Sequence, residues 1–118
     1  MNNIDFYKRV MSVREQRSKA AVATIIRTKG STPRNTGAKM IVFPNGEIYG
    51  TIGGGCGEGE VIEKSFSVIK SGVPSQHQVD LTEGLMYEDG GICGGIMDVF
   101  IEPVHNVNDN ESLHSISI

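Results

Sequence analysis

The chain has 118 residues, 38% of them hydrophobic, and a formal net charge of −3. That length makes one domain with one modest core. The acidic balance leaves no basic excess to displace counterions from phosphates, which argues against nucleic acid, and no apolar run approaches the roughly 20 residues that cross a bilayer.

The opening stretch MNNIDFYKRV has no apolar run followed by a small-residue cleavage site. A cytoplasmic, reducing location is therefore expected, with Cys56 and Cys93 as free thiols. A first helix is expected from Asn3, which can cap it, with Asp5 in the first turn where the macrodipole favours an acid. Ile4, Tyr7 and Met11, widened by Val10, mark its apolar stripe. Ala20–Arg27 is apolar at successive positions and reads as a strand buried on both faces. Ala38–Phe43 and Glu47–Ile52 flank Pro44-Asn45-Gly46, and Asn-Gly between apolar runs signals a hairpin. Val61, Ile62, Phe66 and Ile69 mark a second helix starting near Glu58 and ending near Ser71-Gly72. Gln76–Leu81 and Met97–Glu102 read as further strands. Past Val104 the sequence is polar and unpatterned, so residues 1–104 are expected to form the domain and residues 105–118 a flexible tail. The fold class is α+β: a mixed, mostly β sheet with two helices packed on it. Short strands leave edges that a second copy could cover, so a homodimer is expected.

Three glycine-marked loops fall at strand ends, where a rigid scaffold usually presents functional residues. The first, Thr28 to Ala38, holds Ser31 and Arg34. The second, GTIGGGCGEGE, puts six glycines around Cys56 between Gly50 and Glu60. The third, Asp89 to Gly95, carries Cys93 ahead of Gly94 and Gly95. The second loop lacks the glycine spacing of a dinucleotide fingerprint and the Gly-Lys-Ser/Thr ending of a P-loop. A glycine-rich turn entering a helix can still offer N–H groups to an anion and favour a thiolate. Glu58 and Glu60 oppose that on charge grounds, and Arg34 or Lys39 would offset them if the first loop folds over the second.

Each feature has a plain structural alternative. A single cysteine in a small domain is commonly a small buried hydrophobe, but two cysteines that both sit in glycine clusters weigh against that. Arg34 after Pro33 could be an ordinary solvated cation. The three histidines are scattered, so a metal site made by protein ligands alone is not expected.

The segments RTKGSTPRNTGAKM, GTIGGGCGEGEVIEKS and GGICGGIMDVFIEP resemble, in order and spacing, the N-terminal domain of the XdhC/CoxI family. The resemblance runs from about Ala20 to Pro103. It implies a non-enzymatic accessory protein for molybdenum hydroxylases of the xanthine dehydrogenase or carbon monoxide dehydrogenase type. Such proteins bind the molybdenum cofactor (molybdopterin) transiently, hold it while a cysteine desulfurase helps to install its terminal sulfur, and deliver it to the apoenzyme. The family's motifs place cofactor contacts at Ser31, Arg34, Gly53, Gly54, Gly55, Cys56, Gly57, Glu58, Gly94 and Gly95, with Cys56 and Cys93 as the sulfur-handling or metal-contacting thiols. Family members typically continue into a Rossmann-like domain, which this sequence lacks, so that part is expected as a separate polypeptide or not at all. The rival readings are an interaction subunit that bridges maturation factors without binding cofactor, and a thiol redox protein. The absence of a Cys-x-x-Cys pair disfavours the latter.

Overall fold

The computed structural model describes residues 3–16, 18–55, 57–82 and 94–104. Cys56, Cys93 and the expected tail at 105–118 lie outside the described residues. The elements are α1 (Asn3–Glu15), β1 (Ala21–Lys29), β2 (Lys39–Val42), β3 (Ile48–Gly50), α2 (Glu58–Ser71), β4 (Ser75–Asp80) and β5 (Ile96–Pro103). All strand pairings are antiparallel, and the sheet order is β3-β2-β1-β5-β4. The α+β expectation holds, and each expected strand is present within two residues of its expected bounds.

Alternation along the strands assigns the two faces. Ala21, Ala23 and Ile25 of β1 join Met97, Val99 and Ile101 of β5 in one cluster, closed by Val61 and Val68 of α2. Ala20, Val22 and Ile41 point the other way and meet Phe6, Val10 and Val13 of α1. The helices thus lie on opposite faces, and β1 is buried on both along its first half.

Helix α1 differs from expectation in its orientation. Phe6, Val10 and Val13 are its buried residues, whereas Ile4 is 67% exposed and Tyr7 and Met11 about 40%. Both sets have helical spacing, and the segment is apolar on more than one side. The sheet selects the set containing Phe6, whose ring centroid lies 6.4 Å from that of Tyr49, while the Arg9 guanidinium lies over the Tyr49 ring at 4.7 Å from its centroid. In α2 the structure likewise leaves Phe66 39% exposed and buries Val61, Ser65 and Val68. The hydroxyl of Ser65 donates to the Val61 carbonyl at 2.7 Å, which makes its burial tolerable.

The hairpin forms where Asn45-Gly46 predicts it. Its loop has three residues, Pro44 to Gly46: the N–H of Gly46 donates to the Phe43 carbonyl, and that of Phe43 to the Glu47 carbonyl, both at 2.9 Å. Gly46 takes φ +91°, the conformation that closes three-residue hairpin loops. One irregularity interrupts β1. Ile25 pairs with Val99 and Arg27 with Asp98, so Ile26 is a bulge residue in the β1–β5 ladder.

Candidate functional site

In this antiparallel sheet β1, β3 and β4 end where β2 and β5 begin. The three glycine-marked loops therefore leave the same end of the sheet, while the 44–46 hairpin turn lies at the other.

Backbone contacts join the loops. Gly95 sits against the first loop so closely that a Cβ on it would lie 2.6 Å from the Ser31 carbonyl oxygen and 2.9 Å from its nitrogen. Gly30, at φ +77°, has the reciprocal approach, 3.2 Å from such a Cβ to the Gly95 Cα. The Gly95 carbonyl accepts from the Leu81 N–H at 2.8 Å. Leu81 and Val79 in turn pack on Gly57, at φ +75°, where a Cβ would run into Val79. Gly57, Leu81, Gly95 and the Gly30-Ser31 step thus form one continuous floor.

The second loop is closed by its own acid. The Thr51 hydroxyl donates to Glu58 Oε2 at 2.6 Å, and the Gly54 N–H reaches the same oxygen at 3.2 Å. The N–H groups of Gly53 and Gly54 also reach Thr51 Oγ1, at 3.1 and 2.9 Å. These two N–H groups are consequently engaged inside the loop, and the expectation that the glycine turn leaves its donors to an anion does not hold for them. Glu60, the other acid expected to weigh on this loop, turns to His77 Nε2 at 3.0 Å. Beside Gly54, Gly55 and Gly94 a Cβ would meet nothing within 4 Å, so bare backbone there faces open space.

Arg34 stands apart from the floor. Its Nη1 donates to the Pro33 carbonyl at 2.9 Å, and its side chain lines a cleft of about 350 Å³ on the α1 side of the sheet. Asn3, Phe6, Gly37, Ala38, Lys39, Gly50 and Thr51 complete that cleft. Through Thr51 it adjoins the second loop. Of the expected site residues, the structure brings Ser31, Gly57 and Gly95 into the floor, puts Gly53, Gly54 and Glu58 in the loop beside it, and sets Arg34 in the cleft. Lys39 belongs to the cleft as well. From the sequence it has only a charge-offsetting part, because a cation opening an apolar strand carries no signal of the face it will occupy.

Farther across the same sheet face, the side-chain carboxylate of Asp98 is 9% exposed and accepts from Arg27 Nη1 at 3.3 Å and Gln78 Nε2 at 3.1 Å. At the end of β4, hydrogen bonds from the Thr82 hydroxyl and backbone N–H hold Asp80 below the usual aspartate range. Among the described residues no group of three or more His, Cys, Asp or Glu side chains could hold a metal, and no helix is long and apolar enough to cross a membrane.

Comparison with known proteins places these loops in a wider set. The model of the XdhC and CoxI family matches residues 13–80. The chain is 36% identical over 104 residues, 88% of its length, to the uncharacterized protein YqeB of Escherichia coli (strain K12). It is 27% identical over 120 residues, covering 94% of its length, to a protein of Bacillus subtilis (strain 168) described as a probable xanthine dehydrogenase subunit. It spans 19% and 36% of the length of those two relatives. Among solved structures, a xanthine dehydrogenase from Bacillus halodurans superposes with a TM-score of 0.76 at 27% identity, over 98% of this chain and 34% of that one.

Proposed function

The chain belongs to the XdhC and CoxI family, and on that premise we propose that it is a maturation accessory protein for a molybdenum hydroxylase. It binds the molybdenum cofactor, assists its sulfuration and insertion into the apoenzyme, and turns over no substrate of its own. The observation that carries this reading is the gathering of three glycine-marked loops at one end of the sheet, with bare backbone at Gly54, Gly55 and Gly94 facing open space.

With the Gly53 and Gly54 N–H groups engaged inside the second loop, the open backbone at Gly55 and Gly94 is what would meet the ligand. A molybdopterin offers a flat polar ring edge and a phosphate, which backbone N–H groups and cations recognise, and a soft sulfur-ligated metal, which thiols suit. When bound, the cofactor would supply the oxo-transfer centre of the recipient enzyme. The Gly57–Leu81–Gly95 floor would hold the loops in place, and Gly55 and Gly94 would let their backbone approach the ring. Arg34 would supply a charge-assisted contact. Cys56 and Cys93 are the proposed sulfur-handling groups; a thiol there can carry sulfur as a persulfide received from a cysteine desulfurase.

The exposed Ile4, Tyr7 and Met11 of α1 favour a second reading, an interaction subunit that bridges maturation factors without cofactor. Mixing the purified chain with molybdenum cofactor and measuring retained metal separates the two. Cofactor retention together with loss of hydroxylase activation in Cys56→Ser supports the first, since a hydroxyl neither forms a persulfide nor binds soft metals well. Activation without retention supports the second.

A further inference from the structure

The cleft on the α1 side has a composition that differs from the rest of the chain. We propose that it is a subsite for a phosphate monoester, with Lys39 as the inner cation and Arg34 as the outer one. The proposal rests on the cofactor reading above, whose ligand carries such a phosphate.

In a chain of net charge −3, the cleft is lined by two cations and, among the described residues, by no carboxylate. Neither Lys39 nor Arg34 has a carboxylate partner among the described residues. Glu58, bonded to the lining residue Thr51, is engaged by that hydroxyl and by the Gly54 N–H. Lys39 is half-buried, and its ammonium donates to Thr24 Oγ1 at 3.1 Å. That single bond fixes the side chain against the sheet and leaves two of its three N–H groups for other acceptors. A partly desolvated cation with no counter-ion among the described residues is a costly arrangement, and an anion in the cleft would relieve it.

Two of the lining residues are glycines. Gly37 and Gly50 have φ of +98° and +86°, and a Cβ on Gly37 would meet nothing within 4 Å. Gly37 and Gly50 therefore put no side chain of their own into the cleft. At about 350 Å³ the cleft holds a phosphate together with part of the group that bears it, and Thr51 links it to the second glycine loop. A ligand whose ring lay along the glycine loops could place its phosphate here.

The test compares retention of the molybdenum cofactor with that of the same cofactor after phosphatase treatment, on the full chain, by metal analysis and absorbance. The wild-type protein should hold the phosphorylated form about 10- to 100-fold more tightly, the range expected of a charge-assisted contact. Lys39→Met should erase that preference while leaving retention of the dephosphorylated form and the circular dichroism spectrum unchanged. Should Lys39→Met lose its fold, the exposed Arg34→Gln takes its place and should lower the preference without abolishing it. Equal retention of both forms by the wild-type protein overturns the subsite and leaves the cofactor reading standing. Retention of neither form overturns both. An undiminished preference in a folded Lys39→Met, or in Arg34→Gln where that variant replaces it, also overturns the assignment.

Discussion

The two faces of the sheet are built on different terms. Toward α2, every second residue of β1 and β5 from Ala21 to Ile25 and from Met97 to Ile101 is fully buried and apolar, and the cluster runs without a break into Val61, Val68, Val79 and Leu81. Toward α1 the apolar cluster covers Ala20, Val22 and Ile41, and then gives way to Thr24, Arg27, Lys39 and Asp98 as the glycine loops are approached. One face is given to cohesion along its whole length. The other divides: apart from the buried Glu102 opposite Val22 at the far end, its polar residues lie beside the loops. On the proposed reading, stability and ligand binding would thereby be carried by residues that are neighbours in sequence and opposite in direction.

Substitutions can break that contrast. Ile25→Ala empties a fully buried position on the α2 side and should destabilise the fold by about 2–5 kcal/mol, read by urea unfolding. A loss below about 1 kcal/mol would mean that this face is not the main source of cohesion. Gly95→Ala tests the floor where faces and loops meet. Its methyl would press on the backbone of Lys29 and Ser31, which cannot move aside as a side chain can, and a loss of about 1–3 kcal/mol is expected in the same assay. Arg27→Ala, on the polar part, should change stability by less than about 1 kcal/mol, because the Arg27 side chain is 74% exposed and Asp98 keeps its bond from Gln78. A larger loss would transfer that part of the face to the structural side.

The smallest effect sharpens the contrast through pH. Asp80 is depressed in the folded chain, so its contribution is fully present above the unfolded aspartate pKa and fades as pH falls through the lower folded value. Carboxyl titration followed by NMR should place Asp80 below ordinary aspartates, and Thr82→Ala should return it toward them. An unchanged titration in Thr82→Ala would remove the hydrogen-bond explanation.

Much of this is legible in the sequence, for reasons that differ by element. Ala20–Arg27 announces a doubly buried strand because its apolar residues occupy both phases of the period-two pattern, and the structure buries both. Gly46 can be placed because the turn it closes needs its positive φ whatever fold surrounds it. The inward side of α1 is not legible. Ile4, Tyr7 and Met11 form as good a stripe as Phe6, Val10 and Val13, and the choice is made by Tyr49 and Ile41, which are distant in sequence. Lys39 escapes notice as a lining residue of the cleft for a related reason. Its place depends on where α1 crosses the sheet, and nothing within its own strand records that. Glu58 looks like an electrostatic burden on the second loop, whereas its position one turn from Gly54 makes it the loop's hydrogen-bond acceptor.

The bulge at Ile26 has a consequence for how chain length is counted in this fold. Between Ile25 and Arg27 the first strand advances two residues while its partner advances one, from Val99 to Asp98. Ile26 is thus an idle step that the ladder passes over. A chain one residue shorter at this point could still set Arg27 opposite Asp98, Thr28 opposite Met97 and Lys29 opposite Ile96, and each side chain would keep its face. What such a deletion would alter is aim, since a bulge bends the strand and tightens its twist just before Gly30 and the loop that carries Arg34. A gap at Ile26 in an alignment of relatives is therefore silent for the register and informative about the direction in which the first loop leaves the sheet.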